Sequence, residues 1–301
     1  MSKKKDRPFK ILIIDDDAPY VEALFRDAQE HRLVLKHFAN LEAAKEFMNS
    51  SEGISVSGVI LDVVCMKDKD QEVPDPDFVM PAIQYFKEKA SYLPLVILTG
   101  EPDRYRHLKE YFKGVFPTYS KGKDETEMLL FLKDKVQEIP HEKTIRRYLD
   151  VFEVVERYLG YEAEERLLDC LNKMGYPEPH TITGTLANLR KLRDFFYVGL
   201  NKIDNNMVPN NLINSGGINI DNKNISRHLK GYYDPVTKQL NGVEYIKHNS
   251  HEDHLLKYIS DRTSQELHLT EQNTTKYTVQ SLVFAFMDLV LWMKKIAEKK
   301  V

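Results

Sequence analysis

The sequence has 301 residues, of which 42% are hydrophobic and 30% charged, and its formal net charge is −3. That balance is typical of a soluble globular protein, and the length is sufficient for two domains that each bury a core. Neither half of the chain has the large excess of Lys and Arg on which non-specific DNA binding relies. Composition therefore gives no support to a nucleic-acid-binding function.

The composition also bears on the compartment. The two cysteines, Cys65 and Cys170, are too few for a disulfide framework, which favours a reducing environment. The basic start of the sequence runs directly into a short apolar segment that ends in aspartates, unlike a signal peptide. The most apolar stretch, 281–293, is too short to span a bilayer. We therefore expect a cytoplasmic protein that does not associate with membranes.

Short apolar runs alternate with amphipathic segments through the first 138 residues. The apolar runs predict five strands, at 9–14, 34–38, 59–61, 95–98 and 115–119. Apolar residues spaced three and four apart predict helices that include 18–30, 41–48 and 125–136. Strands that are apolar on both faces and alternate with helices indicate a parallel sheet covered on both sides. The predicted fold is a doubly wound α/β sheet, whose ligands bind beyond the carboxyl ends of the strands.

Pro140 marks a domain boundary, because proline cannot continue the preceding helix. The spacing of apolar residues changes beyond it. Apolar residues then recur at helical spacing in several segments, the last of them 277–296. Residues 205–250 interrupt this pattern because they are rich in Asn and Gly, and we expect a hairpin near 232–246. The sequence thus predicts two domains, 8–138 and 141–301, the second mainly α-helical with an irregular insertion near 205–250.

Three acidic side chains follow two strands of the predicted sheet. Asp15 and Asp16 come directly after the first strand, and Asp62 directly after the third. Because the carboxyl ends of parallel strands open on the same edge, we expect these carboxylates to converge. Carboxylates this close repel one another unless a cation neutralises them, and hard oxygen ligands suit Mg²⁺.

Two further polar residues are expected at the same edge. Thr99 ends the fourth strand and Lys121 follows the fifth. A hydroxyl and an ammonium there could hold the oxygens of a bound phosphoryl group. A carboxylate nucleophile beside Mg²⁺ is the arrangement that forms an aspartyl phosphate.

The segments ILIIDDD, VILD, VILTG and YSKG, in this order and spacing, resemble the receiver domain of two-component response regulators. The resemblance implies a flavodoxin-like five-stranded fold in which Asp62 is the phosphoacceptor. It implies that Asp15, Asp16 and the backbone carbonyl of Val64 join Asp62 in holding the metal, and that Thr99 and Lys121 contact the phosphoryl oxygens. It further implies that a sensor histidine kinase or a phosphotransfer protein is the phosphodonor.

The sequence departs from the receiver pattern in three places. Thr118 stands where the family usually has an aromatic residue, and Tyr119 follows one position later, where it would face the other side of a strand. Gly122 replaces the proline that normally follows the lysine in a cis peptide, so we expect a trans peptide or a rebuilt turn. The segment 63–77 is longer than the usual loop, so access of partners to Asp62 is expected to differ.

The helical half carries one motif that suggests an activity. Arg262 and His268 resemble the Arg–His signature of the HEPN superfamily, whose all-α domains often act as ribonucleases and pair two such sites across a dimer. A helical module that binds another protein is the alternative that we favour, and a DNA-binding output is a third. The resemblance of the first half to receivers also implies a homodimer whose contacts change on phosphorylation.

Overall fold

The computed structural model describes residues 7–213, 220, 222–234, 239–240, 242–265 and 274–300. Contacts divide the chain into two compact units, Met1–Arg147 and Tyr148–Val301.

The first unit is built on a five-stranded parallel sheet. Its strands are β1 (Phe9–Ile14), β2 (Leu33–Phe38), β3 (Val56–Asp62), β4 (Leu95–Thr99) and β5 (Thr118–Ser120). Their order is β2-β1-β3-β4-β5, and every neighbouring pair is parallel. Every residue of the central strand β3 is buried, including the apolar run 59–61 from which this strand was predicted. The predicted doubly wound α/β fold is confirmed.

Five helices cover this sheet, and their apolar faces complete its core. They are α1 (Ala18–Glu30), α2 (Leu41–Asn49), α3 (Val79–Ala90), α4 (Pro102–Tyr111) and α5 (Glu125–Glu138). The side chain of Asp17 accepts a hydrogen bond from the backbone N–H of Tyr20, so it caps the N-terminus of α1. The third aspartate of the run therefore caps a helix, and only Asp15 and Asp16 remain as candidates for the site at the sheet edge.

A sixth helix, α6 (Pro140–Arg147), also belongs to the first unit. Ser57 Oγ on β3 donates a hydrogen bond to Glu142 Oε1 at 2.5 Å, and Ile145 is buried. The predicted limits, 8–138 and 141–301, assign this segment to the helical half instead. Pro140 ends the pattern of α5, but proline is equally suited to the first turn of a new helix.

The second unit is mainly α-helical, as predicted. It contains α7 (Leu149–Val154), a π-helical turn (Val155–Leu159), α8 (Tyr161–Lys173), α9 (Pro179–Ile203), α10 (Asn222–Leu229), α11 (His251–Gln265) and α12 (Lys276–Glu298). The long helices α9 and α12 pack through buried aromatic rings, among them Phe196 and Phe286. A Cβ at Gly199 would lie 3.0 Å from Leu159 Cδ1 and 3.1 Å from Met293 Cε, so this glycine allows close packing there.

The segment 205–250 is more regular than its composition indicates. The short helix α10 buries Ile225 and Leu229, which are four residues apart and therefore share one helical face. The two-residue strands β6 (Tyr233–Asp234) and β7 (Gln239–Leu240) pair in antiparallel fashion inside the predicted hairpin. Residues 235–238, where the predicted turn continues, lie outside the described residues. Within the described ranges, no helix combines the length and the hydropathy needed to cross a membrane.

Candidate functional site

The carboxyl ends of β1 and β3 bring three acidic side chains together. Ile14 and Leu61 are paired in the parallel register, so the residues that follow them leave the sheet side by side. One oxygen each of Asp15, Asp16 and Asp62 lies within 4.8 Å of the others. Asp15 is fully buried and Asp62 is only 8% exposed. The predicted convergence of the three carboxylates is therefore present in the structure.

Lys121 lies between two of these carboxylates. Its ammonium Nζ is 2.7 Å from Asp15 Oδ2 and 2.7 Å from Asp62 Oδ2. The backbone N–H of Lys121 donates to the carbonyl of Thr99 at 2.8 Å, which ties the residue to the end of β4. One cation thus bridges the two buried acids at the sheet edge.

The two buried carboxylates have perturbed pKa values. Burial is the main cause, and together with the charge of Asp15 it raises the pKa of Asp62 to about 6 despite the opposing effect of Lys121. Burial likewise raises the pKa of Asp15, again against the influence of Lys121. Burial alone would lower the pKa of Lys121, but the charges of Asp62 and Asp15 outweigh it and raise that pKa. Three carboxylates lie together here, and one ammonium contacts two of them, so the cluster holds more negative charge than that ammonium neutralises.

Backbone groups fix the orientation of both carboxylates. Asp62 Oδ1 accepts a hydrogen bond from the N–H of Val63 at 2.6 Å. Asp15 Oδ1 accepts one from the N–H of Asp17 at 3.0 Å. In both residues the second oxygen, Oδ2, is the one that faces Lys121.

The remaining two predicted site residues, Thr99 and Val64, follow from the ends of β4 and β3. Thr99 ends β4 and is buried, and its Oγ1 accepts a hydrogen bond from the N–H of Glu101 at 3.1 Å. Val64 is partly buried, two residues beyond Asp62. The roles of the Thr99 hydroxyl and the Val64 carbonyl stay predictions.

This donor set fits a hard divalent cation. Three carboxylates converge at one point, and two of them are buried. Desolvation by burial raises the pKa of both, and the charge of a neighbouring aspartate adds to the rise. Oxygen ligands of this kind are those that Mg²⁺ takes in proteins.

The structure also shows how the turn after β5 accommodates its departures from the receiver pattern. No peptide bond among the described residues is cis, and Gly122 adopts a positive φ of 76° that glycine tolerates best. The prediction of a trans peptide after Lys121 is confirmed. Thr118 and Tyr119 are both buried, and the ring of Tyr119 packs against Phe131 of α5 with a centroid distance of 6.3 Å.

Two residues that the sequence analysis missed adjoin this turn. The hydroxyl of Tyr20 donates to Glu125 Oε1 at 3.0 Å, and the N–H of Gly122 donates to the same oxygen. Burial raises the pKa of Tyr20, and the charge of Glu125 raises it further. The only signal in the sequence is an acidic residue in the first turn of a helix that follows the glycine, which is too common to single out.

Only one member of the Arg–His pair predicted in the helical half lies among the described residues. Arg262 is exposed on α11, and His268 lies outside the described residues. The HEPN resemblance gains no support from the structure or from comparisons with known proteins.

The first unit has a five-stranded parallel sheet with an acidic cluster at its edge, which fits the resemblance to receiver domains. A scan against models of protein families finds no match, and a search of curated proteins finds none. Among solved structures, the chain is similar to full-length FixJ from B. japonicum, with 13% sequence identity and a TM-score of 0.33. That alignment covers 96% of this chain and 97% of the other. At this TM-score the likeness carries no weight for fold or function.

Proposed function

We propose that the protein is a cytoplasmic two-component response regulator whose Asp62 accepts a phosphoryl group from a histidine kinase or a phosphotransfer protein. The observation that carries this proposal is the position of the Lys121 ammonium, which bridges the buried carboxylates of Asp15 and Asp62 at the carboxyl edge of the sheet. A surface lysine with no role in chemistry would not be expected between two desolvated acids.

The chemistry follows from the orientation of Asp62. Its Oδ1 is held by the Val63 N–H, so Oδ2 is the proposed nucleophile. A bond forms between Oδ2 and phosphorus, while the bond between phosphorus and the imidazole nitrogen of a phosphohistidine donor breaks. The leaving nitrogen keeps the electron pair. The Lys121 ammonium, already 2.7 Å from Oδ2, can then stabilise the negative charge on the phosphoryl oxygens.

Asp15, Asp16, Asp62 and the Val64 carbonyl would hold Mg²⁺. The bound ion would supply positive charge next to the transferred phosphoryl group. Thr99 is the proposed hydroxyl partner of a phosphoryl oxygen, which requires its Oγ1 to act as a donor while it accepts from Glu101.

The helical unit is the proposed output. Phosphorylation of Asp62 would bias the receiver between two conformations and so change how the helical unit binds another protein. A homodimer whose affinity or geometry changes on phosphorylation is part of this proposal.

The test is phosphoryl labelling of the full chain with Mg²⁺ and a small phosphodonor, read by intact mass. One phosphoryl group is expected on the wild type and none on Asp62→Ala. Asp17→Ala is the matched control, because Asp17 caps α1 and lies outside the acidic cluster. Equal labelling of wild type and Asp62→Ala would refute the proposal.

A further inference from the structure

The turn that carries Lys121 has no proline, so something else must fix its shape. In this chain the backbone N–H of Gly122 donates a hydrogen bond to the carboxylate of Glu125, at the start of α5. Gly122 has φ of 76° and its Cα faces open space, because a Cβ there would meet no atom within 4 Å. Hydrogen bonds hold this turn. Besides the bond to Glu125, the carbonyl of Ser120 accepts from the N–H of Asp124 at 3.0 Å, and the N–H of Ser120 donates to Asp124 Oδ2 at 3.0 Å.

Glu125 accepts a second hydrogen bond, from a residue of another helix. Its Oε1, the oxygen that accepts from Gly122, also accepts from the hydroxyl of Tyr20 at 3.0 Å. Tyr20 lies on α1, so the carboxylate links the first helix of the unit to the turn after its last strand. Hydrogen bonds to an ionised carboxylate are among the stronger ones in proteins.

Tyr20 contacts the lysine side chain as well. The Lys121 ammonium lies 4.9 Å from the centroid of the Tyr20 ring, within the range of a cation–π interaction. The same ammonium is 2.7 Å from Asp62 Oδ2. The ring therefore limits the positions open to the ammonium, and the hydrogen bond from the Tyr20 hydroxyl to Glu125 holds the ring.

We infer that Tyr20 and Glu125 are positioning residues for Lys121, together replacing the proline that is absent after it. The inference rests on the proposed phosphoryl transfer to Asp62. A lysine side chain has a flexible four-carbon stem. Its ammonium is therefore held at one point only when the lysine backbone is fixed and a neighbouring side chain restricts the ammonium. Glu125 fixes the backbone through Gly122, and Tyr20 fixes the flank. Neither residue contacts the reacting atoms.

An acidic residue in the first turn of a helix also has an ordinary explanation, since it interacts favourably with the helix dipole. Glu127 occupies the same first turn of α5 and is exposed, so it shares this effect without the contacts to the turn. Tyr85 gives the corresponding control for Tyr20. Its hydroxyl is buried and has no hydrogen-bond partner among the described residues.

The experiment measures two quantities on the full chain, the rate of phosphoryl labelling by a small phosphodonor and the Kd for Mg²⁺ by calorimetry. The donor is a small acyl phosphate. A bond forms between Asp62 Oδ2 and phosphorus while the bond between phosphorus and the donor's acyl oxygen breaks, and that oxygen keeps the electron pair. We expect Tyr20→Phe and Glu125→Ala each to slow labelling about tenfold, the loss that follows from one charge-assisted hydrogen bond. Because Lys121 is not a metal ligand, the Kd for Mg²⁺ should not rise. Glu125→Gln keeps an acceptor oxygen and should recover most of the rate.

The controls Tyr85→Phe and Glu127→Ala should label at the wild-type rate. Wild-type rates in Tyr20→Phe and Glu125→Ala would overturn the inference. So would a loss of Mg²⁺ affinity and thermal stability in proportion to the loss of labelling, because that pattern indicates general damage to the fold. Failure of the proposed function looks different, since wild type would then go unlabelled or Asp62→Ala would still be labelled.

Discussion

The central strand β3 has a buried carboxyl group at each end, and the two differ in their surroundings. Asp62 ends the strand, and Glu142 of α6 contacts its start through Ser57. Both residues are 8% exposed, and burial raises the pKa of each carboxyl group. At the Asp62 end, two further carboxylates lie close by, and one of them, Asp15, shares the Lys121 ammonium with Asp62. At the Glu142 end, a hydroxyl donates to the carboxylate, and the charges of Arg7 and Arg146 oppose the rise in pKa.

The comparison shows that a raised carboxyl pKa does not identify a functional site by itself. What separates the two ends is the balance of charge and the place in the fold. The Asp62 cluster has excess negative charge and lies at the carboxyl edge of a parallel sheet, where ligands bind. The Glu142 carboxylate lies at the opposite end of the strand and fastens α6 to it.

Removal of a metal ligand should act at one end of β3 only. Asp16→Ala is expected to weaken Mg²⁺ binding by at least about tenfold, because it removes one carboxylate from the cluster. Mg²⁺ at about 100 times its Kd should stabilise the wild type by about 2.7 kcal/mol, and the same concentration should stabilise this variant much less. Thermal unfolding at several Mg²⁺ concentrations measures both quantities.

Glu142→Gln is the matched variant at the other end of the strand. It should bind Mg²⁺ as the wild type does. Equal Mg²⁺ affinity in wild type and Asp16→Ala would remove the distinction between the two ends.

Loss of α6 should cost the first unit stability without changing its chemistry. A fragment of residues 7–139 lacks the Ser57–Glu142 hydrogen bond and the buried side chain of Ile145, both of which 7–147 retains. Together these contacts predict a difference of roughly 3 kcal/mol in the free energy of unfolding. Urea denaturation followed by circular dichroism measures it. If the two fragments are equally stable, α6 does not belong to this unit.

The pH dependence of stability should separate the two carboxyl groups. A carboxyl group whose pKa is higher in the folded than in the unfolded state makes the folded state more stable at low pH than at high pH. That contribution is lost as pH rises from the unfolded pKa through the folded one. For Asp62, with a folded pKa of about 6, the decline should fall between pH 4 and 6.

In the presence of EDTA, the free energy of unfolding of Asp62→Asn should decline over this pH range by about 2 kcal/mol less than that of the wild type. Saturating Mg²⁺ should remove the decline due to Asp62, because the ion stabilises the ionised carboxylate. It should leave the contribution of Glu142 in place. A pH profile that Mg²⁺ does not alter would contradict this assignment.

The sequence was informative where each residue's environment follows from its position on one strand. The alternation of apolar strands with helices predicted the parallel sheet. The ends of those strands then placed four side chains at one edge, those of Asp15, Asp16, Asp62 and Lys121. Contacts between distant segments could not be predicted in this way. Ser57 and Glu142 are 85 residues apart, and Tyr20 and Glu125 are 105 apart. Each of these pairs forms only after the elements pack, so local periodicity contains no signal for it.

The helical unit shows the same limit on a larger scale. Apolar spacing predicted that it is helical, because each helix needs only its own buried face. The short helix α10 was missed, since only Ile225 and Leu229 are buried in a segment otherwise rich in Asn and charged residues. The function of this unit depends on surfaces that spacing does not describe, and so its output stays a prediction.

The most direct test of the central claim is to locate the phosphoryl group on the chain. The labelled protein is treated with borohydride, which reduces an acyl phosphate, and is then digested with trypsin for mass spectrometry. The peptide 46–67 contains Asp62 and no other aspartate, whereas Asp15 and Asp16 fall together in 11–26. We predict that the reduced residue lies in 46–67 and that wild-type protein without Mg²⁺ lacks it. Reduction in 11–26, or a label that borohydride does not remove, would contradict the account.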